Sequence, residues 1–303
     1  MTDEQRRKNL SVPCGMIDVV LDTDAYNEVD DQFAIAYLLK SKEKLRVKAI
    51  CAAPFHNARS NSPGDGMKKS YDEVLKLLSL LGEDVPVYFG AEQYLSDEQT
   101  PVFSPAAQKM VELAKNYSPA RPLYIVAIGA ITNVASALLL CPEIKENVVV
   151  VWLGGHAHHF CDTLEFNMKQ DFAAARVVMQ SGAPFVQLPC MGVVDQFRIS
   201  GQELKHWFLG KSPLADYLAE NTVSEAESYS TGKAWTRVIR DVTAVAWLLN
   251  DEDRYLSYCT VPTVLPSYEG VYEAEALDIP MVYVYHVRRD ALMNDLILKI
   301  TQS

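Results

Sequence analysis

Apolar and polar positions alternate in blocks along most of the chain, and each block has the length of one strand or one helix. The strand-like run Met16 to Asp22, apolar through Val19-Val-Leu21, predicts a buried strand. Gln32-Phe-Ala-Ile-Ala-Tyr-Leu-Leu39 then sets apolar residues at three-and-four spacing, the pattern of a helix packed along one side, ending near Lys40. The rhythm continues: strand Leu45 to Ala53, helix Met67 to Leu81, strand Val85 to Phe89, helix Ala106 to Asn116, strand Leu123 to Ile128 and a helix capped near Thr132. Strand Asn147 to Leu153, helix Asp171 to Gln180 and strand Pro184 to Leu188 close the series. Strands separated by helices of this length imply parallel βαβ units, so the expected fold class is α/β with an open, mostly parallel sheet flanked by helices.

After about residue 195 the pattern becomes helix-rich and predicts a C-terminal elaboration. It contains a polar stretch from Asn221 to Lys233, a helix over Asp241 to Leu249, paired strand signals between Tyr258 and Tyr285, and a last helix over Asp290 to Ile300. No Gly-, Pro- or Ser-rich linker divides the halves, so a single domain over 1–303 is expected, with residues 1–12 flexible. A chain of 303 residues with 49% hydrophobic content can bury one large α/β core. Its net charge of -11 disfavours nucleic acid and anionic membrane surfaces, which reward basic patches, and suits a small neutral or cationic ligand. The 6 cysteines are scattered without a Cys-x-x-Cys pair, which fits reduced thiols. With no signal-type apolar core and no apolar run of spanning length, a cytoplasmic protein is expected.

Candidate chemistry concentrates where the first strand meets the first long helix. Asp22, Asp24, Asp30 and Asp31 fall there, at the carboxyl edge where open α/β sheets build ligand sites. Carboxylates this close repel one another unless protons or a cation intervene, and all-oxygen ligation suits Ca²⁺ or Mg²⁺. One of these aspartates is explained as a helix cap; Asp22 and Asp24 together are not. Further along, Gly154-Gly155 ends a strand and leads through His156, His158, His159 and Asp162 to Glu165-Phe-Asn167, a set of groups suited to a polyhydroxyl ligand. The histidines lack the spacing of a zinc site. Asp241 opens an apolar helix, and Ile128-Gly129 offers a backbone carbonyl at a strand end. There is no phosphate-binding Walker loop and no Gly-x-Ser-x-Gly elbow.

Taken in order, the acidic loop, Asn57, Gly129 to Asn133, Gly154-Gly155, Glu165-Phe-Asn167 and Asp241 resemble the inosine-uridine-preferring nucleoside hydrolase family over nearly the whole chain. The resemblance implies that family's Rossmann-like fold, a homodimer or homotetramer, and Ca²⁺-dependent cleavage of the bond between ribose and base in nucleoside catabolism. It assigns Asp24, Asp30, Asp31, Asp241 and the Ile128 carbonyl to the metal, and Asp22, Asn57, Glu165 and Asn167 to the sugar. His56 and Trp235 become candidates beside the base. The chain departs from the family pattern at three places, one being that the asparagine often found upstream of Glu-Phe-Asn has no match in the region that His158, His159 and Asp162 occupy. Ala25-Tyr-Asn-Glu-Val29 lengthens the acidic loop, adding Asn27 or Glu28 to the pocket rim, and Arg240 stands where many members have histidine.

The implied mechanism is attack by a metal-activated water, with Asp24 as general base and acidic walls stabilising a cationic sugar in the transition state. Arginine stays protonated, so Arg240 can stabilise negative charge on a departing base but is a poor proton donor. His56, His158 and His159 are the alternative candidates for assisting departure. Two other functions share these residues: hydrolysis of a modified or non-standard N-riboside, and Ca²⁺-dependent nucleoside or ribose binding without turnover.

Overall fold

In the computed structural model, which describes residues 1–302, the apolar runs become the middle of one large sheet. Its strands are β1 (Ile17–Thr23), β2 (Leu45–Ala52), β3 (Val87–Tyr88), β4 (Leu123–Ala127), β5 (Val148–Leu153) and β6 (Phe185–Leu188), joined later by β9 (Leu256–Pro266) and β10 (Tyr272–Val287). Between them in sequence, β7 (Arg198–Ser200) and β8 (Thr236–Val238) form a separate antiparallel pair. The main sheet has the order β3-β2-β1-β4-β5-β6-β10-β9, parallel throughout except for the β10–β9 pair. Every residue of β4, β5 and β6 is buried, as expected of parallel strands covered by helices on both faces.

Alternation along β1 divides the core. Val19 and Leu21 pack with the helices Asp31–Lys40 and Val242–Leu248 on one face, while Val20 packs with Pro105–Ala114, Thr132–Leu140 and Phe172–Gln180 on the other. The order in which strands are added reverses between β1, from which β2 and β3 extend to one side, and β4, from which β5 and β6 extend to the other. A switch point of this kind, at the carboxyl ends of β1 and β4, is where open α/β sheets place their ligand sites.

Several elements differ from the pattern-based expectation for local reasons. The helix expected from Met67 begins at Pro63, because Ser62 accepts a hydrogen bond from the Asp65 amide and proline suits the first helical position. The polar stretch after Asn221 is the second half of a helix, Pro213–Ser230, that buries only the narrow stripe Leu214, Ala215, Leu218, Ala219, Thr222 and Ala226. Thr132 does not cap its helix; its hydroxyl donates to Asp171 Oδ2 at 2.7 Å. The C-terminal strand signals belong to the main sheet, where β10 pairs with β6. Residues 1–12 contain a helix, Asp3–Asn9, tied down by Arg6 Nη1 donating to the Gly182 carbonyl at 2.5 Å. No helix among the described residues is long and apolar enough to cross a membrane.

Candidate active site at the carboxyl edge

The strand's period of two sorts the first acidic residues. Asp22 shares a face with Val20 and turns toward the helix Thr132–Leu140, where Asn133 Nδ2 donates to its Oδ1 at 2.8 Å. Thr23 turns the other way, and its hydroxyl donates to Asp31 Oδ1 at 2.5 Å. Asp24 follows the strand's last residue and is 1% exposed, yet neither of its carboxylate oxygens has a hydrogen-bond partner. The turn after β4 closes over it: a Cβ on Gly129 would lie 3.1 Å from Asp24 Cγ and 3.0 Å from Ala53 Cβ, so a side chain there would crowd this carboxylate.

Asp30 and Asp241 each stand at the start of a helix, the position in which aspartate ordinarily caps. Neither does so: no side-chain capping bond forms at either helix. Their carboxylates face each other instead, and one oxygen from each of Asp30, Asp31 and Asp241 lies within 4.8 Å of the other two. Burial, with mutual repulsion added, raises the proton affinity of all of them. Asp31 is pushed up to about 8 by burial and then by Asp30, against the opposing Thr23 bond. Asp22 rises to about 7 through burial, again opposed by its Asn133 bond. Asp24 and Asp241 rise well above the usual carboxylate range, first through burial and then through the neighbouring aspartates. Without a cation this cluster holds protons.

Beside the cluster the structure places Arg240 and a set of fixed polar groups. Arg240 Nη2 lies 2.9 Å from Glu28 Oε2, and Arg240 Nε lies 3.5 Å from Asp30 Oδ2. The extended acidic loop is thereby clamped to the residue preceding Asp241. Glu165 accepts from the amides of Gly155 at 3.1 Å and of Asn167 and Met168 at 3.0 Å each. Asn167 Nδ2 donates to the carbonyls of Ile128 and Leu153, both at 3.0 Å, fixing the Ile128 carbonyl beside Asp24's turn.

The remaining candidates fall outside this constellation or at its edge. His158 is wedged between the rings of Tyr272 and Tyr283, with its Nε2 3.1 Å from Gln187 Oε1, and burial lowers its pKa. His159 is exposed beside Phe160. His56 is exposed and is fixed by its backbone amide to Gln170 Oε1 at 2.9 Å. Trp235 lies over Gly201, where an added Cβ would meet its ring at 2.8 Å. Asn57 Nδ2 donates to Asn27 Oδ1 at 2.6 Å, so the extended loop covers it. Asn133 was absent from the sequence-derived set. The signal was available, since an amide in the first turn of an otherwise apolar helix is costly to bury unless satisfied.

An open sheet with buried, incompletely bonded aspartates at its switch point defines an α/β protein with a candidate cation site. Residues 19–279 match the family model described as inosine-uridine preferring nucleoside hydrolase. A pyrimidine-specific ribonucleoside hydrolase of Escherichia coli O9:H4 is 31% identical over 261 residues, covering 77% of this chain and 80% of that protein. In fold, a plant nucleoside hydrolase superposes with a TM-score of 0.75 at 19% identity, covering 95% of this chain and 99% of the other. A purine-preferring ribonucleoside hydrolase from Gardnerella vaginalis gives 0.73 at 22%, with 94% and 98% covered. The chain belongs to the inosine-uridine preferring nucleoside hydrolase family and is an N-glycosidase acting on ribonucleosides.

Proposed function

We propose that this enzyme hydrolyses ribonucleosides in a Ca²⁺-dependent reaction with Asp24 as general base. The observation that carries this reading is the set of buried carboxylate oxygens without partners, both of Asp24's foremost, beside two helix-start aspartates that face each other instead of capping. Such oxygens are costly to bury alone, and an all-oxygen donor set fits a hard divalent cation. Asp24, Asp30, Asp31, Asp241 and the Ile128 carbonyl would hold it; that carbonyl accepts one bond from Asn167 and keeps a second lone pair. Bound there, Ca²⁺ would supply Lewis acidity toward water and anchor sugar hydroxyls.

The chain's own groups do the rest. Asp24 accepts the proton of the attacking water, for which its buried, unbonded oxygens are poised. Glu165 and Asn167, locked by their backbone bonds, define where the sugar lies and hold its anomeric carbon within reach. The acidic wall stabilises positive charge as it develops on the sugar. Arg240, held by Glu28 and Asp30, serves the leaving base as a fixed positive charge and hydrogen-bond donor, not as an acid. A fixed cation favours leaving groups that depart as anions, which is why modified N-ribosides belong beside ordinary nucleosides in any substrate panel.

The test is incubation of the pure protein with purine, pyrimidine and modified ribonucleosides, with free ribose as the readout. Ribose release that stops with a chelator and returns with Ca²⁺ is expected. No release from any substrate by protein shown calorimetrically to hold Ca²⁺ would overturn the proposal and leave a binding protein.

A further inference from the structure

A sugar hydroxyl offers one hydrogen and two lone pairs, whereas a carboxylate wall can only accept. Recognition of ribose at this edge therefore needs donors, and most of the amides present have spent theirs. Asn133 Nδ2 gives both hydrogens to the protein, at 2.8 Å to Asp22 Oδ1 and 3.1 Å to the Ala52 carbonyl. Asn167 Nδ2 gives both to the Ile128 and Leu153 carbonyls. Asn57 spends one on Asn27, and the Thr23 hydroxyl donates to Asp31.

Asn27 differs. It is 6% exposed and sits in the extended stretch between Asp24 and Asp30, at the strand edge that carries the acidic cluster. The Arg59 amide donates to Asn57 Oδ1 at 2.8 Å, which orients the Asn57 amide so that its nitrogen faces Asn27 Oδ1. Asn27's own amide is thereby oriented too, and its Nδ2 donates to no protein group among the described residues. The loop that carries it is held from four directions. Asn27 N donates to the Asp24 carbonyl at 2.7 Å, Gln32 Nε2 to the Ala25 carbonyl at 2.8 Å, and Glu28 Oε2 meets Arg240 at 2.9 Å and Arg237 at 3.4 Å. Arg237 in turn reaches Glu225 at 2.9 Å, and Glu225 reaches Arg59 at 3.3 Å, so the ion pairs return to the segment that orients Asn57.

We propose that Asn27 is a specificity-determining residue whose free amide hydrogens read a ribose hydroxyl oxygen, a donor that the lengthened loop supplies and the acidic wall lacks. The donor is preorganised, since its oxygen is already braced and its backbone anchored, so little ordering remains when substrate arrives. The test compares wild-type enzyme with Asn27→Ala and Asn27→Asp on one ribonucleoside and its 2′-, 3′- and 5′-deoxy analogues, using inhibition constants for analogues that turn over too slowly. Asn27→Asp keeps an acceptor for Asn57 and removes the donor while adding a negative charge, and Asn27→Ala removes the donor without that charge. Both variants should lose about tenfold in kcat/KM on the parent nucleoside, the size of one neutral hydrogen bond, and less than about twofold on the single analogue lacking the contacted hydroxyl. Ca²⁺ affinity measured by calorimetry should stay as in wild type. An equal loss on all four compounds, wild-type behaviour in Asn27→Asp, or loss of Ca²⁺ binding in either variant would overturn the assignment. The inference rests on the ribonucleoside reading of the site, and failure of the two is distinguishable: a wild-type enzyme that cleaves the parent while the variants lose uniformly sinks only Asn27, whereas one that cleaves no ribonucleoside sinks both.

Discussion

The acidic edge and the histidine segment are both dense in titratable side chains, and the fold treats them oppositely. At Asp24, burial proceeds without partners, since both its oxygens are unbonded, and the two helix-start aspartates nearby leave their caps open. In the segment from His156 to Asp162, burial comes with satisfaction. His158 is hydrogen-bonded to Gln187 and packed between two tyrosines, and His156 Nδ1 accepts from the Met191 amide at 3.4 Å. The difference teaches that residue type alone does not mark a reactive site. Unmet valence in a dry place does, because a protein tolerates that cost only where something else completes the coordination.

The sharpest way to break this contrast is to remove one group from each region. Asp24→Ala should lower kcat by about 10²–10⁴-fold, the usual worth of a positioned base, as read from ribose release. His158→Ala should leave kcat within about threefold, because its ring serves packing and one neutral hydrogen bond. A reversal of these two results would make the histidine segment the reactive one. Asp241→Ala should act on the cation first, weakening Ca²⁺ binding in calorimetry by at least about 10–100-fold, the loss already typical of groups one shell further out. If Ca²⁺ affinity survives that change, Asp241 is a structural aspartate after all.

A pH series on chelator-treated protein sharpens the same comparison. In the unfolded chain an aspartate titrates near 4, while Asp22 and Asp31 in the folded cluster hold protons to about 7 and about 8. The folded state therefore binds more protons than the unfolded chain between those limits. The contribution is full below about pH 4, declines as pH rises, and is lost above about pH 8. The thermal midpoint of the cation-free protein should accordingly fall across that window, and Ca²⁺ should flatten the fall by replacing the protons. A midpoint that rises with pH in the absence of cation would contradict the protonated cluster. The smallest expected effect is on the stability of His158→Ala, about 1–3 kcal/mol from its lost hydrogen bond and its packing between two tyrosines, measured by urea unfolding.

Much of the fold was legible because parallel strands buried on both faces are almost wholly apolar, as β4 and β5 are, and such runs recur between amphipathic helices. The boundaries that escaped did so where a cap or a narrow buried stripe outweighed composition, at Ser62 and along Pro213–Ser230. Within the site, the aspartates stood out as a local cluster in the chain. Asn133 was legible in principle as a buried amide in an apolar helix. The pairing of Glu28 with Arg240 and of Asn27 with Asn57 was not, since each joins residues from loops that meet only when the sheet has formed.

The sequence by itself determined the sheet, the acidic loop and the all-oxygen chemistry, because periodicity and residue type act locally and survive without coordinates. Tertiary structure alone decided which of those groups remain unpaired. Asp241 lies more than two hundred residues from Asp30, and only the crossing of their two helix starts at the β1–β4 switch point turns two ordinary capping positions into facing carboxylates. The same assembly set Glu28 on Arg240 and bent the lengthened loop over Asn57, leaving Asn27's amide nitrogen free. Hydrogen-bond satisfaction is a property of neighbours in space, and the chain order does not contain it.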